Sequence, residues 1–195
     1  MLSVIIATHD CERALVRTLA MLVSAAVAGV VRDVVVADAR SRDETGRIAE
    51  IAGCTLQVST APLATRLNAA VGAARGSWLL FLPPGCMLET GWGEEAVGFA
   101  EETELRGGAH RAAVFRGQPS PPVGHSFLGQ ALTLLGLAFR RRPGPEQGLL
   151  ISRALYRQMG GHRPVDDPQV DLLRRLSGRL ARLHSSILLF DDAPR

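Results

Sequence analysis

The segment LSVIIATHDCERALVRTLAMLVSAAVAGVVRDVVVAD, from Leu2 to Asp38, decides the fold because two strand patterns flank one helix pattern. Leu2 to Ala7 and Val34 to Ala37 are continuous apolar runs, typical of strands that are buried on both faces. Asp10 is placed to cap the helix between them. The apolar side chains of that helix recur at helical spacing, at Leu15, Leu19, Leu22 and Val23. The segment therefore predicts a β-α-β unit.

The next residues repeat this alternation. Ser41 and Glu44 have the spacing of a capping box and predict a second helix. Thr55 to Ser59 predicts a strand, Leu63 to Ala74 a third helix, and Trp78 to Leu82 the most strongly buried strand. Successive units of this kind predict an α/β fold, Rossmann-like, with a mostly parallel sheet flanked by helices.

An aspartate or a proline follows each of three predicted strands. Asp10, Asp38 and Pro83 each come at or just after a strand's carboxyl end. Because parallel strands end at the same edge of a sheet, we expect these three residues to share that edge. Ligands of such folds bind there, so this edge is the predicted site.

The second half of the chain has a less regular pattern. Ala112 to Phe115 and Gln147 to Ser152 predict strands, and a helix is predicted to start at Val170. The apolar stripe of that helix would contain Leu173, Leu176, Leu180 and Leu183. The apolar run from Phe127 to Phe139, followed by three arginines, fits either a buried helix or one lying on a membrane surface.

The composition excludes several classes of protein. The 195 residues are 47% hydrophobic, and the 22 basic residues are all arginine, with a net charge of +3. A single tyrosine and scattered arginines argue against a nucleic-acid surface. Three cysteines without paired spacing predict a reducing, cytoplasmic compartment. The opening run predicts a strand rather than a signal peptide, and no apolar run is long enough to span a membrane.

In order and spacing, these segments resemble family 2 glycosyltransferases of the GT-A, nucleotide-diphospho-sugar transferase fold. The segment Val36-Ala-Asp-Ala-Arg-Ser-Arg-Asp43 is similar to the family's V-D-G-G-S-T-D, and Glu146-Gln-Gly148 to its D-Q-G. The strand from Leu79 to Leu82 also matches. The resemblance implies one domain over residues 1–195, with a nucleotide-binding half (1–92) and an acceptor-side half (93–195).

The resemblance also implies roles for single residues. Those implied to bind the nucleotide are Thr8, Asp10, Asp38, Arg40, Arg66 and Asn68. The family's metal-binding aspartate corresponds to Gly85, so no metal ligand is expected, although Mn²⁺ or Mg²⁺ could still bind through the diphosphate. The family's catalytic acid pair corresponds to Pro168-Gln169. The remaining candidates for a general base are then Asp166, Asp167 and Asp171.

Each candidate also has a purely structural interpretation. Asp38 could satisfy loop amides, Asp43 could complement a helix dipole, and Asp171 could cap its helix. Arg66 could be an ordinary surface arginine, and His162 a loop residue without a role.

Two functions stay open. The first is transfer of a sugar from a nucleotide-diphospho-sugar to an unknown acceptor hydroxyl. The second is a non-catalytic relative that binds a nucleotide or a protein partner.

Overall fold

The computed structural model describes residues 1–107, 111–117 and 143–190. Its sheet has eight strands, ordered β3-β2-β1-β4-β7-β6-β8-β5. The strands are β1 (Leu2–Thr8), β2 (Val31–Asp38), β3 (Thr55–Val58), β4 (Trp78–Leu82), β5 (Cys86–Leu88), β6 (Ala112–Gly117), β7 (Leu149–Ser152) and β8 (Leu180–Leu189). Strands β3, β2, β1 and β4 are parallel, as predicted, whereas β7 pairs antiparallel with both β4 and β6.

Helices cover both faces of the sheet. They are α1 (Glu12–Val27), α2 (Thr45–Ile51), α3 (Leu63–Ala73), α4 (Trp92–Leu105), α5 (Arg153–Gln158) and α6 (Pro168–Arg175). Side chains of β1 alternate between the two cores: Val4 and Ile6 pack with α1 and α4, while Ile5 packs with α3, α5 and α6. This alternation follows from the two-residue period of a strand and explains why the central strands are continuously apolar. None of the described helices is long and apolar enough to cross a membrane.

Two predicted helix caps are wrong. Cys11, not Asp10, occupies the N-cap of α1 and makes no side-chain capping bond. Helix α2 begins at Thr45, so Ser41 and Glu44 form no capping box. The Ser41 hydroxyl instead bonds to the neighbouring loop, because the loops after β1 and β2 lie against each other.

The helix predicted from Val170 is shorter than its leucine pattern suggested. Helix α6 ends at Arg175, and Leu180 and Leu183 belong to β8. Leucines spaced by three and four residues fit a helix, but the edges of β6 and β5 provide hydrogen-bond partners for a strand here. The run from Phe127 to Phe139 lies outside the described residues.

Candidate functional site at the carboxyl edge of the sheet

The carboxyl ends of β1, β2 and β4 meet at one edge of the sheet. Thr8 lies beside Asp38 in the β1–β2 pair, and Ile6 lies beside Leu82 in the β1–β4 pair. The loops that follow these strands contain Asp10, Arg40 and Pro83. The predicted grouping of Asp10, Asp38 and Pro83 at one edge is therefore confirmed.

Asp38 is a buried carboxylate that organises the loop after β2. Only 2% of it is exposed. Thr8 Oγ1 donates to its Oδ1 at 2.8 Å, the Ser41 amide donates to Oδ2 at 2.7 Å, and the Ser41 hydroxyl also donates to Oδ1. Burial alone would raise the pKa of Asp38, but these hydrogen bonds and one from the Arg40 backbone lower it below its usual value. The carboxylate is thus ionised and committed to loop groups.

The loops after β1 and β2 are interlocked and strained. The Asp10 amide donates to Ser41 Oγ at 2.9 Å, and the Arg42 amide donates to Asp10 Oδ1 at 2.6 Å. Within the described part of the chain, Asp10 and Arg40 are the only residues other than glycine with positive φ, at 45° and 64°. This conformation costs about 1 to 2 kcal/mol for a side chain with a Cβ. Strain of this kind is concentrated at functional sites.

Asp43 joins the starts of α1 and α2. Its Oδ2 accepts the Glu12 amide at 3.0 Å and its Oδ1 accepts the Thr45 amide at 3.0 Å. Burial would raise the pKa of Asp43, but these bonds and that of the Thr45 hydroxyl lower it. The contacts agree with the structural interpretation, since two helix N-termini favour a negative charge.

Arg66 brings a positive charge to the same edge. It lies on α3, where Nη1 donates to the Ala37 carbonyl at 2.6 Å and Nε donates to the Ala61 carbonyl at 3.2 Å. Burial lowers the pKa of Arg66, while the nearby charge of Asp38 acts in the opposite direction. The guanidinium is therefore anchored by backbone carbonyls beside the loop that contains Arg40.

A cleft of about 180 Å³ lies next to these loops, at the ends of β1 and β4. Among the described residues that line it, Glu146 alone has a titratable side chain. The lining residues are Ile5, Ala7, Leu67, Phe81, Leu82, Pro83, Pro84, Pro145, Glu146, Gln169 and Leu189. The cleft thus joins Pro83-Pro84, Glu146 and Gln169, three positions far apart in sequence.

The residues at the position of the family's metal site do not fit a metal. Gly85 is buried, and its amide donates to Thr18 Oγ1 at 2.9 Å and to the Ala14 carbonyl at 3.1 Å. In residues 1–107, 111–117 and 143–190, no three His, Cys, Asp or Glu side chains are grouped to hold an ion. A hard cation needs several oxygen ligands, which two prolines and a glycine do not supply.

We expect Gly85→Asp to create no metal site and to destabilise the fold. Gly85 has a φ of 82°, and an added Cβ would lie 2.9 Å from the carbonyl oxygen of Phe190. The free energy of unfolding should fall by more than the backbone strain of about 1 to 2 kcal/mol, because the Phe190 backbone must also shift to make room for the Cβ. Calorimetric titration with Mn²⁺ and urea denaturation measure the two effects. Tight Mn²⁺ binding by the variant would contradict this account of the site.

The three candidate bases, Asp166, Asp167 and Asp171, have different positions in α6 and the loop before it. Asp171 Oδ2 accepts Arg175 Nε at 2.8 Å, so it forms an ion pair rather than a cap. Asp167 is the cap, since its Oδ1 accepts the Val170 amide at 3.0 Å. Asp166 is exposed in the preceding loop. The sequence-based interpretation of Asp171 as the helix cap is therefore wrong, and none of the three lines the cleft.

Asn68, which is exposed on α3, and the buried His162 form a hydrogen-bond network that the sequence did not indicate. Asn68 Nδ2 donates to the His162 carbonyl at 2.8 Å, and Asn68 Oδ1 accepts the His162 amide at 3.1 Å. His162 lies in a loop, as expected, but it is only 3% exposed and its ring bonds to Tyr156, so it is part of the packed interior. Burial and then the charge of Arg175 lower the pKa of His162 to about 4, although Asp171 opposes this.

Glu146 and Tyr156 are the residues that sequence reasoning did not select as site residues. The similarity of Glu146-Gln-Gly148 to D-Q-G was a signal for Glu146, but its place in the cleft depends on the β4–β7 pairing. Tyr156 gave no signal, because a lone tyrosine on a short helix is typical of a core residue.

No protein-family model and no curated protein sequence matches the chain. Solved structures do match its fold. Glucosyl-3-phosphoglycerate synthase from Mycobacterium tuberculosis superimposes with a TM-score of 0.64 at 16% identity, covering 100% of this chain and 72% of that one. Mannosyltransferase PcManGT from Pyrobaculum calidifontis gives 0.63 at 15% identity, covering 96% of this chain and 56% of that one. The chain has the GT-A glycosyltransferase fold.

TarS from S. aureus, solved with UDP-GlcNAc, is also similar to this GT-A chain. Its TM-score is 0.62 at 18% identity, and the match covers 98% of this chain and 59% of the solved chain, TarS 1–349. This chain therefore spans between about half and three quarters of the length of these three solved chains. At such low identity the likeness shows the fold.

Proposed function

We propose that the carboxyl edge binds a nucleotide-diphospho-sugar and that the protein transfers its sugar to a hydroxyl acceptor. The observation that carries this proposal is the pair of strained, interlocked loops beside a cleft at the ligand-binding edge of a GT-A fold. Neighbours with this fold were solved with UDP-GlcNAc, with GDP-Man and Mn²⁺, and with UDP and Mn²⁺. The ligand class is thus consistent with the fold and with the positive charge at this edge.

The side chains at this edge have different proposed roles. Arg40 and Arg66 would stabilise the charge of the departing diphosphate, because a guanidinium matches phosphate oxygens in geometry. Thr8 and Asp38 would act through the loop that they hold, and Asp10 through its bond to the Arg42 amide. An acceptor hydroxyl attacks the anomeric carbon as the bond to the diphosphate breaks, and a carboxylate takes the hydroxyl proton.

The carboxylate that takes the proton has two candidate locations. Glu146 lines the cleft, while Asp171, Asp167 and Asp166 belong to α6 and the loop before it. The proposed transfer uses no metal, because the residues at the metal position do not fit one. Turnover is therefore expected to continue in EDTA.

A second candidate function is non-catalytic binding of a nucleotide or protein partner. Two features of the candidate catalytic and metal positions favour it. Asp171 is held in an ion pair with Arg175 at 2.8 Å, and Gly85 replaces a metal ligand. Donor hydrolysis and transfer to a mixed acceptor pool, measured with EDTA or Mn²⁺, separate the two functions. Nucleotide binding without turnover, both in EDTA and in Mn²⁺, favours the non-catalytic function. Turnover that requires Mn²⁺ contradicts the assignment of the metal position.

We expect Arg40→Gly to stabilise the fold and to weaken ligand binding. Glycine adopts the φ of 64° without strain, so the free energy of unfolding should rise by up to about 1 kcal/mol. Loss of the guanidinium should weaken binding of UDP or GDP about tenfold. Urea denaturation and isothermal titration calorimetry measure the two changes.

Arg106→Gln is the matched control for charge. Arg106 follows α4, at the opposite edge of the sheet, and pairs with Glu102 at 2.9 Å. Its replacement should leave nucleotide affinity within a factor of two, because exposed ion pairs contribute little. Equal nucleotide affinity in wild type and Arg40→Gly would remove Arg40 from the site. A failure of UDP, GDP and TDP, alone and as sugar conjugates, to raise the melting temperature would overturn the proposed function.

Asp38→Ala should weaken nucleotide binding ten- to a hundredfold, since the loop containing Arg40 loses its anchor. Circular dichroism must show that the variant is folded, and equal calorimetric affinity would count against a role for this loop.

The remaining partner and location assignments are also proposals. We expect a cytoplasmic protein that does not bind nucleic acid, in line with the three free cysteines. Peripheral membrane association would depend on the Phe127 to Phe139 run, which lies outside the described residues.

A further inference from the structure

The hydrogen bonds of Asn68 and Tyr156 fix the tautomer of His162. The Asn68 carboxamide forms two bonds with the His162 backbone, so its Oδ1 is the acceptor and its Nδ2 is the donor. Tyr156 Oη lies 2.7 Å from Asn68 Oδ1 and must donate its single proton there. Burial raises the pKa of Tyr156 to about 12, so the phenol keeps that proton.

The proton of the imidazole follows from this arrangement. Tyr156 Oη also lies 2.7 Å from His162 Nδ1, and its proton is already used. Nδ1 must therefore donate to Tyr156, and Nε2 carries the lone pair. Within the described residues no hydrogen bond to Nε2 is present. His162, a residue that is only 3% exposed, thus has one ring acceptor to which no described residue donates.

His162 borders a small void next to the cleft. The void has a volume of about 10 Å³, which is the space that one water oxygen or one hydroxyl group needs. Its lining residues are Phe81, Pro145, Leu149, His162, Gln169 and Leu173. Phe81, Pro145 and Gln169 also line the cleft, so the void is adjacent to the proposed substrate site. An apolar group would leave the acceptor unpaired, whereas a hydroxyl would satisfy it.

We infer that His162 Nε2 accepts a hydrogen bond from one hydroxyl group of a carbohydrate bound in the cleft, and so contributes to its specificity. This inference rests on the proposed function, which supplies the carbohydrate. The hydroxyl belongs either to the sugar of the donor or to the acceptor, and the experiment below distinguishes these sources.

The charged surroundings keep the imidazole neutral. Burial and the charge of Arg175, on α6, disfavour the protonated ring, and the charge of Asp171 only partly compensates. The phenol of Tyr156, on α5, faces Nδ1, and Phe81 of β4 packs edge-on against the ring at 5.1 Å. A neutral ring can accept a hydrogen bond at Nε2 throughout the neutral pH range.

The first test examines the tautomer in the wild-type protein without any ligand. Two-bond ¹H–¹⁵N correlation spectra of ¹⁵N-histidine-labelled protein should show one ring protonated at Nδ1 and not titrating between pH 5.5 and about 8. Loss of that signal in His162→Asn assigns it. A ring protonated at Nε2 or titrating in this range would overturn the inference whether or not the protein binds nucleotides.

The second test measures binding of UDP-glucose, UDP, GDP-mannose and GDP by calorimetry. Asparagine at position 162 can still donate to Tyr156, but it places no acceptor where Nε2 lies. If the hydroxyl belongs to the donor, His162→Asn should weaken the sugar nucleotide about five- to tenfold and leave UDP or GDP unchanged. If it belongs to the acceptor, methyl glucoside binding to UDP- or GDP-saturated protein should weaken instead.

Two controls separate the possible failures. His184→Asn removes a histidine whose side chain is 93% exposed and should change neither affinity. Wild-type protein that binds none of the four nucleotides would reject the proposed function, and the inference with it. If the wild-type protein binds the sugar nucleotides or methyl glucoside and His162→Asn binds them with the same affinity, only the role of His162 is rejected.

Discussion

Gly161→Ala is expected to lower the free energy of unfolding by about 3 kcal/mol. Gly161 has a φ of 64°, and an added Cβ would lie 2.6 Å from Asn68 Oδ1 and 3.2 Å from a ring carbon of Tyr156. The backbone strain costs about 1 to 2 kcal/mol, and displacement of a bonded carboxamide adds a similar amount. Urea denaturation followed by circular dichroism measures the loss.

The adjacent Gly160 provides the control. Its φ is 75°, but a Cβ there would meet no atom within 4 Å. Gly160→Ala should therefore cost only the backbone strain, about 1 kcal/mol. Equal effects of the two substitutions would show that the Asn68–Tyr156–His162 network accommodates the added methyl group without a further decrease in the free energy of unfolding. That outcome would also weaken the tautomer argument, which depends on a fixed Asn68 carboxamide.

Acidification from pH 6.5 to about 4 is expected to remove about 3 kcal/mol of stability through His162 alone. The pKa of this ring falls from 6.5 to about 4 in the folded protein, by burial first and by Arg175 second. Between these values the unfolded chain binds the proton and the folded chain does not, so unfolding becomes more favourable as the pH falls. This contribution is fully present above pH 6.5.

His162→Phe keeps an aromatic ring at this position but cannot titrate. The difference in unfolding free energy between wild type and variant, measured by urea denaturation from pH 7.5 to 4, should therefore change by about 3 kcal/mol. The comparison cancels the carboxylates common to both proteins, including Glu95, whose pKa burial raises but bonds from Ser185 and His184 lower to about 2. A constant difference across this range would show that the ring is accessible to water.

The sequence predicts where some candidate site residues lie but not which groups they contact, and their binding roles stay predictions. Asp38 was found from sequence because a carboxylate directly after a buried strand must lie at the sheet edge. Its commitment to Thr8 and Ser41 could not be found, because that depends on how two loops pack. The resemblance implies a nucleotide-binding role for Asn68, which stays a prediction, whereas its bonds to the backbone of His162, 94 residues away, could not be found from the sequence.

The sequence by itself determined the parallel half of the sheet, because the strands and helices there are defined by local apolar periodicity and joined by short loops. It also determined which edge of that sheet contains Asp10, Asp38 and Pro83. The tertiary structure alone decided that Leu180 belongs to a strand, that Glu146 reaches the cleft and that His162 is buried. Each of these depends on partners distant in the chain, and a local pattern contains no information about which distant group satisfies a backbone edge or a buried polar atom.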